Sequence, residues 1–309
     1  SDETVNSSRN FANKIWNAAR FILMNIENRE ISCTLPEKLE LEDQWIVSRF
    51  NSVTKAITEN LEKFELGIAV AKLYDFLWDD FCDWYIELAK IRMNGDDENS
   101  ADSARHCLVW VMSNTLGLLH PFMPYITEEI WQTLPHEEEA LVTAKWPEYE
   151  ENHVFPQAEV AMEQVMTLIR AVRVRRADMN VPPSKKASIS IETGDPVSFE
   201  TERNAIARLA YASEVEIGSH FAIEGAVTLV TDSCKAYIPM AELVDKEAET
   251  ARLKKELENA QKQLTTVEAK LANSSFMGRA PEKVRAGVVE NGEKLREKIR
   301  LIHESIAAL

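Results

Sequence analysis

The sequence predicts a mainly α protein in three parts: a helical bundle, a small α/β subdomain and an antiparallel coiled-coil hairpin. Three observations predict it. Apolar residues recur at helical spacing from Phe11 to Trp131, the period switches to two at Ala187-Ser-Ile-Ser-Ile-Glu192, and beyond Leu253 the apolar positions fall alternately four and three apart.

Each element follows in turn. Phe11, Ile15, Ala18 and Ile22 make one apolar face of a helix over residues 8–24, with a polar stripe of Arg9, Asn13, Trp16 and Arg20 beside it. After a turn-rich stretch to Pro36, Ile46, Phe50, Val53, Ile57, Leu61 and Phe64 predict a helix from Glu42 to Phe64. Leu73, Leu77, Phe81, Trp84, Leu88 and Ile91 predict another over 66–93, and residues 94–100 read as a loop. A fourth helix, 101–119, is stopped by Pro121, and Thr127-Glu-Glu has the form of a helix start with acids in its first turn. Short connections between such helices describe an up-and-down bundle.

Prolines 135, 147 and 156 mark an irregular acidic linker, followed by a helix over 157–180 that Val181-Pro-Pro ends. The strand 187–192, a helix near 197–211 and short strands at about 213–217, 226–231 and 234–238 make the α/β subdomain. Leu253, Leu257, Ala260, Leu264, Val267 and Leu271 form a coiled-coil seam. Asn273–Gly278 breaks it, and Pro281 opens a returning helix carrying Val284, Val288, Leu295, Ile299, Ile302 and Ile306. At 1.5 Å per residue the first helix of this hairpin is roughly 40 Å long. The parts are therefore expected at residues 1–156, 157–242 and 243–309.

The chain has 309 residues with 35 Lys/Arg against 51 Asp/Glu, a net charge of −16. The charge is segregated. Residues 243–309 hold 13 basic and 11 acidic side chains, and residues 162–186 hold six basic against two acidic. No glycine-rich nucleotide loop and no membrane-spanning apolar run is present. The four cysteines, at 33, 82, 107 and 234, contain no C-x-x-C pair. A reduced, cytoplasmic protein without structural zinc is expected. The opening Ser-Asp-Glu-Thr-Val is neither a leader peptide nor an initiator start, so an excised piece of a longer protein is expected.

Chemistry is sparse. Asp75, Asp79, Asp83 and Glu87 share a helix face at a spacing of four, with Asp80 alongside. A divalent metal or an acid–base pair would use such a face, yet no histidine stands near it, and a solvated or Arg-paired face is the preferred reading. The six histidines have no metal-ligand spacing, and no nucleophile–base pair is assembled, so neither catalytic nor metal-binding residues are assigned. The basic runs carry more. Arg170, Arg173, Arg175 and Arg176, with Lys185 and Lys186 across the Pro-Pro stop, suit phosphate contacts or ion pairs with the acidic bundle, and composition divides the two evenly. The hairpin adds Arg252, Lys254, Lys255, Lys262, Lys270, Arg279, Lys283, Arg285, Arg296 and Arg300. Trp16, Arg20 and Phe21 suit stacking on an unpaired base or packing in the core.

Five segments together resemble the valyl-tRNA synthetase family. Arg9-Asn-Phe-Ala-Asn-Lys-Ile-Trp-Asn-Ala-Ala-Arg-Phe21 resembles the helix that opens its anticodon-binding domain. Trp78-x-x-Phe-Cys-Asp-Trp-Tyr-Ile86, His120-Pro-Phe-Met-Pro-Tyr-Ile-Thr-Glu-Glu-Ile-Trp131 and Met179-Asn-Val-Pro-Pro-Ser-Lys-Lys186 follow in the family's order. Lys270-Leu-Ala-Asn-Ser-Ser-Phe-Met-Gly-Arg-Ala-Pro281 is similar to the turn of its C-terminal arm, which is the most specific element. The His-Ile-Gly-His and Lys-Met-Ser-Lys-Ser catalytic signatures are absent.

The resemblance implies the tRNA-recognition third of a class I ligase that attaches valine to its tRNA using ATP and Mg. The fragment itself then needs no cofactor, and the parent enzyme is expected to be a cytoplasmic monomer that binds valine tRNA but neither DNA nor membrane. The bundle is expected to hold the anticodon stem-loop, with Arg9, Asn13, Trp16, Asn17, Arg20, Phe21, Arg170, Arg173 and Arg176 as candidates. The arm is expected to meet the tRNA elbow through Arg252, Lys255, Lys262, Lys270, Arg279, Lys283 and Arg285. Gly287, Asn291 and Gly292, where the family carries charged helix formers, predict fraying or a kink in the returning helix. A coiled-coil module for a protein partner, without RNA binding, is the alternative.

Overall fold

The computed structural model describes residues 2–243, 246–272 and 282–308. The chain divides into two compact units. The first takes the residues to Ser184 together with Ser188–Ala222 and Thr228–Tyr237; the second takes Lys185–Ala187, Ile223–Val227 and the residues from Ile238 onward. The fold is mainly α with one small sheet.

In the first unit, helix α1 (Asp2–Ile26) buries Phe11, Ile15, Ala18 and Ile22 as their spacing requires. Helix α2 (Leu41–Glu62) opens on Asp43, whose carboxylate accepts from the Glu40 amide at 3.1 Å. It ends at Glu62, short of the expected Phe64. Phe64 takes a left-handed conformation (φ 58°), with the Phe64 amide on Leu61 O and the Glu65 amide on Asn60 O, and its ring is 88% exposed. Those two bonds close a Schellman motif, so the last apolar residue of the pattern belongs to the cap and not to the core.

The expected helix 66–93 is continuous but not uniform. Helix α3 (Leu66–Asp75) passes into a π-helical segment, Phe76–Tyr85, and then into α4 (Ile86–Met93), with the Ile86 amide reaching back five residues to Phe81 O. Helix α5 (Glu98–Leu119) starts earlier than predicted because Asp97 caps it, accepting from the Asn99 and Ser100 amides at 3.0 and 3.2 Å. Helix α6 (Pro124–Trp131) starts on Pro124. Thr127 is not its cap: the hydroxyl donates back to Met123 O at 2.9 Å from inside the helix.

Two 3₁₀ turns, Leu141–Thr143 and Glu151–His153, punctuate the linker. Helix α7 (Pro156–Asp178) follows, and Asn180 ends it in the left-handed region. Phe50, Phe76 and Trp110 form an aromatic centre between the bundle helices, with Phe50 5.7 Å from Phe76 and 5.2 Å from Trp110 between ring centroids.

Strand β1 (Ala187–Glu192) has the predicted bounds. The expected helix near 197–211 is two short ones, α8 (Val197–Thr201) and α9 (Arg203–Leu209), hinged at Glu202. Strands β2 (Ala212–Gly218), β3 (Ala226–Val230) and β4 (Lys235–Pro239) complete a sheet of order β2-β1-β4-β3, in which β1 and β4 run antiparallel with Ser190 opposite Tyr237 and Glu192 opposite Lys235. Helix α10 (Met240–Leu243) follows.

In the second unit, α11 (Lys246–Ala272) and α12 (Glu282–Ala308) pack together along Ala260, Val267, Leu295 and Ile302. Cross-helix ion pairs Arg296–Glu268 and Lys298–Glu256, each 2.9 Å, flank the seam. Helix α12 runs unbroken through Gly287, Asn291 and Gly292, contrary to the expected fraying. Gly292 is buried on the seam, where the absent side chain lets Val267 and Leu271 of α11 approach. No described helix is long and apolar enough to cross a membrane.

Candidate nucleic-acid interface

Because α1 commits one face to the core, its other face is fixed in solvent. Arg9, Asn13, Asn17 and Arg20 are exposed there, around a Trp16 that is 47% exposed. Among the described residues neither Arg9 nor Arg20 has an acid partner. Other arginines of this unit are engaged differently. Arg29, Arg49, Arg92, Arg105, Arg170 and Arg203 are all ion-paired.

Beside this face lies a groove of about 450 Å³ between α1 and the π-helical segment. Asn10, Asn13 and Asn17 line one wall, and Trp78, Cys82, Ile86 and Lys90 line the other. The Trp78 ring stacks on Tyr74 (5.4 Å), which stacks on Phe11 (4.6 Å). The Lys14 ammonium lies 3.9 Å from the Trp78 centroid and 2.5 Å from Asp83. Phe21 is half-buried at the far end with Lys90 4.9 Å above its ring, so it is neither a free stacking platform nor fully core. Burial pushes the Cys82 thiol up to about 12, which makes it an inert lining group. The groove thus offers amide donors and acceptors, an aromatic floor and two cations, the group types that read and stack unpaired bases.

Four of these groups, Asn10, Lys14, Trp78 and Lys90, are absent from the candidates chosen by sequence. The signal was present in the spacing. Trp78, Cys82, Ile86 and Lys90 are four apart, a second face beside the acidic one, and Lys14 precedes Trp16 by two.

The acidic face is answered by cations in part: Asp83, Glu87 and the neighbouring Asp80 are paired, while Asp75 and Asp79 have no cation partner among the described residues. Arg49 holds Asp80 at 3.0 Å, Lys14 holds Asp83, and Lys90 holds Glu87 at 2.6 Å. Burial raises the Asp80 carboxyl and the Arg49 guanidinium opposes the shift. Among the described residues no cluster of His, Cys, Asp and Glu is placed to hold a metal.

Half of the arginine run of α7 is consumed by structure. Arg176, a candidate, is 3% exposed, and its guanidinium donates to Pro182 O at 3.1 Å and lies against the Tyr211 ring. A phosphate cannot reach it, so it is withdrawn as a contact residue. Arg173 donates to Leu209 O at 2.7 Å and stacks near Trp84 and Tyr211. Arg170 is exposed, paired with Glu163 at 2.9 Å and set over Trp84 at 5.0 Å. Arg173 and Arg176 thus tie α7 to Leu209, Pro182 and Tyr211, while Arg170 and Arg175 face solvent.

On the arm, Lys255, Lys262 and Lys270 are exposed along α11. Lys262 pairs with Glu258 in an open i,i+4 bridge, a weak contact that a phosphate can replace, whereas Lys255 and Lys270 have no acid partner among the described residues. Arg252, Lys283 and Arg285 belong to these helices with side chains outside the described set, and Arg279 lies outside the described residues.

Comparison with known proteins matches residues 43–191 to the anticodon-binding domain of tRNA ligases and residues 245–309 to the valyl tRNA synthetase tRNA-binding arm. Three curated relatives are valine–tRNA ligases. That of Clostridium acetobutylicum is 44% identical over 99% of this chain and 35% of its own length. That of Staphylococcus saprophyticus is 43% identical over 96% of this chain and 35% of its own, and that of Clostridium tetani 43% over 100% and 36%. The chain therefore spans about a third of the length of the curated relatives it matches. Among solved structures, a LeuRS–tRNA–LeuAMS complex from Agrobacterium radiobacter K84 overlaps 50% of this chain and 18% of its own at 16% identity. Its TM-score of 0.39 is too low to support an argument.

Proposed function

The chain belongs to the valine–tRNA ligase family, and from that premise we propose that it is the tRNA-recognition portion of such an enzyme, binding without carrying out chemistry. The observation that carries the proposal is the exposed face of α1, where Arg9 and Arg20, without an acid partner among the described residues, and the half-exposed Trp16 border an amide- and aromatic-lined groove. Residues 1–156 hold the anticodon stem-loop, in which bases are unstacked and readable, with Arg9 and Arg20 on phosphates and one base meeting the amides of Asn10, Asn13 and Asn17 in the groove. Residues 157–242 are the connecting α/β subdomain, and residues 243–309 reach the tRNA elbow through Lys255, Lys262 and Lys270. The longer enzyme joins valine to its tRNA with ATP and Mg, as a cytoplasmic monomer; the relatives' names support the valine and tRNA parts of this reading.

The test is fluorescence-anisotropy binding of a valine tRNA transcript to residues 1–309 and to residues 1–242 over a salt series, with an anticodon-swapped transcript alongside. Tighter binding and a steeper salt slope for the full chain, with the swap weakening both proteins, is the expected result. Binding no better than that of a random RNA would reject the proposal in favour of a hairpin that serves a protein partner.

A further inference from the structure

Between α5 and the irregular linker that follows α6 lies a cavity of about 260 Å³, lined by Trp110, Trp131, Trp146, Ser113, Asn114 and His136 among others. Trp131 is buried and the other two indoles are half-buried. The linker is held firmly over the helix. Gly117 admits Pro147, since an added Cβ would stand 3.4 Å from the proline ring. Trp146 donates its indole N–H to Thr58 Oγ1 at 3.2 Å, and Asn51 bonds the Glu150 backbone through both of its amide atoms, at 2.7 and 2.8 Å. The His136 ring lies against Trp131 with centroids 4.1 Å apart.

These polar side chains have accepting capacity left over. His136 Nδ1 lies 2.7 Å from Leu134 O; a carbonyl only accepts, so Nδ1 carries the hydrogen and Nε2 of the neutral ring is left as an acceptor. Asn114 turns its amide nitrogen to Trp110 O at 2.8 Å, which leaves Oδ1. Ser113 is 9% exposed, and its buried hydroxyl has no hydrogen-bond partner among the described residues, an orphan that a ligand would relieve. Glu138, Glu148 and Glu150 add exposed carboxylates to the lining. Lys145 pairs with Glu148 at 3.1 Å and the His153 ring stands 4.0 Å from Glu150, while Glu138 has no cation partner among the described residues. Burial raises the Cys33 thiol in the same wall, and the charges of Glu137 and Glu138 raise it further, so it is an inert lining group.

We propose that this cavity binds a small primary alkylammonium ion. Indole faces attract the cation, Ser113, Asn114 and His136 accept from its N–H groups, and the carboxylates balance its charge. The volume falls below the range of about 300–1,000 Å³ that drug-sized ligands occupy, which restricts the occupant to an amine of a few carbons or the end of a longer one. A nucleotide is disfavoured, because its phosphate meets the same carboxylates. The site is therefore distinct in chemistry from the face of α1, and it stands whether or not that face binds RNA.

The test titrates the 309-residue chain with butylammonium, with acetyl-lysine methylamide and, as the neutral isostere, with butanol, all at constant ionic strength. Indole N–H signals in NMR spectra read the outcome. Those of Trp110, Trp131 and Trp146 are expected to shift and saturate while those of Trp16 and Trp78 stay, with butylammonium bound about tenfold more tightly than butanol. Tighter binding of acetyl-lysine methylamide than of butylammonium assigns the ammonium to a lysine side chain of another protein, and weaker binding assigns it to a free amine. Glu138→Gln, at an exposed position, and Ser113→Ala are each expected to weaken butylammonium severalfold. Equal affinity for butanol would overturn the proposal, as would shifts that never saturate or that are as large at Trp16 and Trp78. Unchanged affinity in both variants would overturn it as well.

Discussion

Replacing Gly287 and Gly292 with alanine is expected to strengthen the arm. Both lie inside α12, where glycine is worse than alanine by about 1 kcal/mol because its unfolded chain has more freedom to lose. Whether that gain is realised depends on the room for a methyl group. At Gly287 an added Cβ meets nothing within 4 Å, so the full propensity difference is expected. At Gly292 it would stand 3.4 Å from Val267 Cγ1 and 3.8 Å from Leu271 Cδ1, ordinary packing distances that add a buried methyl to the seam. The two added methyl groups touch no common side chain, so the double variant should gain about 2 kcal/mol, or about 30-fold in the opening equilibrium. Hydrogen exchange by mass spectrometry on the intact chain reads this directly. Peptides of α11 and α12 should exchange about 30-fold more slowly, while those of α2 and α5 stay unchanged. Unaltered protection in G287A would refute a continuous helix at that point, and a loss of protection in G292A would refute the packing distances at the seam.

Two further substitutions test the bundle. Arg92→Met removes the cation bonded to Asp43 and Glu42 and is expected to cost about 3–5 kcal/mol by urea unfolding at pH 7. Without it Glu42 loses the charge that lowers its pKa, so the deficit should shrink as pH falls through the carboxylate range and widen as pH rises. Phe64→Gly runs against intuition: an aromatic residue is removed, yet the protein should gain up to about 1 kcal/mol, because Phe64 is 88% exposed at a left-handed cap where glycine carries no Cβ penalty. A lower midpoint in F64G would show that the ring contributes packing not apparent from its exposure.

Much of the fold was legible because the apolar spacing is regular and the stops are strong. The strand at Ala187–Glu192 was set by its alternation, and the end of α7 by Pro182 and Pro183. What escaped was decided by backbone hydrogen bonds that no hydrophobic period encodes. Phe64 fits the core pattern of α2, but a Schellman closure there satisfies carbonyls that would otherwise be orphaned. Asp97 was read as loop because caps lie outside the period they start. The π-helical turn left a trace in Leu73, Leu77 and Phe81, a spacing of four and four that is wide for an α-helix, but the same spacing occurs in ordinary helices. The candidate site divides similarly. The polar stripe of α1 was readable from one helix, whereas the groove required knowing that the Trp78 face lies against it. For the α7 arginines, composition does not distinguish a guanidinium facing water, as in Arg170, from one seated on Tyr211, as in Arg176.

An acidic chain can still be proposed to bind a polyanion if its positive charges are free where its negative charges are not. In the first unit several cations are spent on acids, as in Lys14–Asp83, Arg49–Asp80 and Arg29 with Glu98, while acidic runs such as Glu137–Glu139 stay exposed. Phosphates are repelled near such acidic runs within a Debye length of about 8 Å, whereas the α1 face presents Arg9 and Arg20 without an acid partner among the described residues. Raising salt should then screen repulsion and attraction together for residues 1–242, giving a shallow slope. Among the described residues the arm has no such compensation at Lys255 and Lys270, and the Lys262–Glu258 bridge is open enough to be exchanged. Replacing Lys255, Lys262 and Lys270 with glutamine should therefore lower the logarithmic salt slope of tRNA binding by about 0.7–0.9 for each phosphate no longer neutralised, or about 2 to 3 for the three together. Anisotropy titrations from about 50 to 200 mM salt measure it. A slope unchanged by the triple substitution would mean that these lysines meet no phosphate, and that any affinity of the arm comes from its apolar seam or from the residues of its turn.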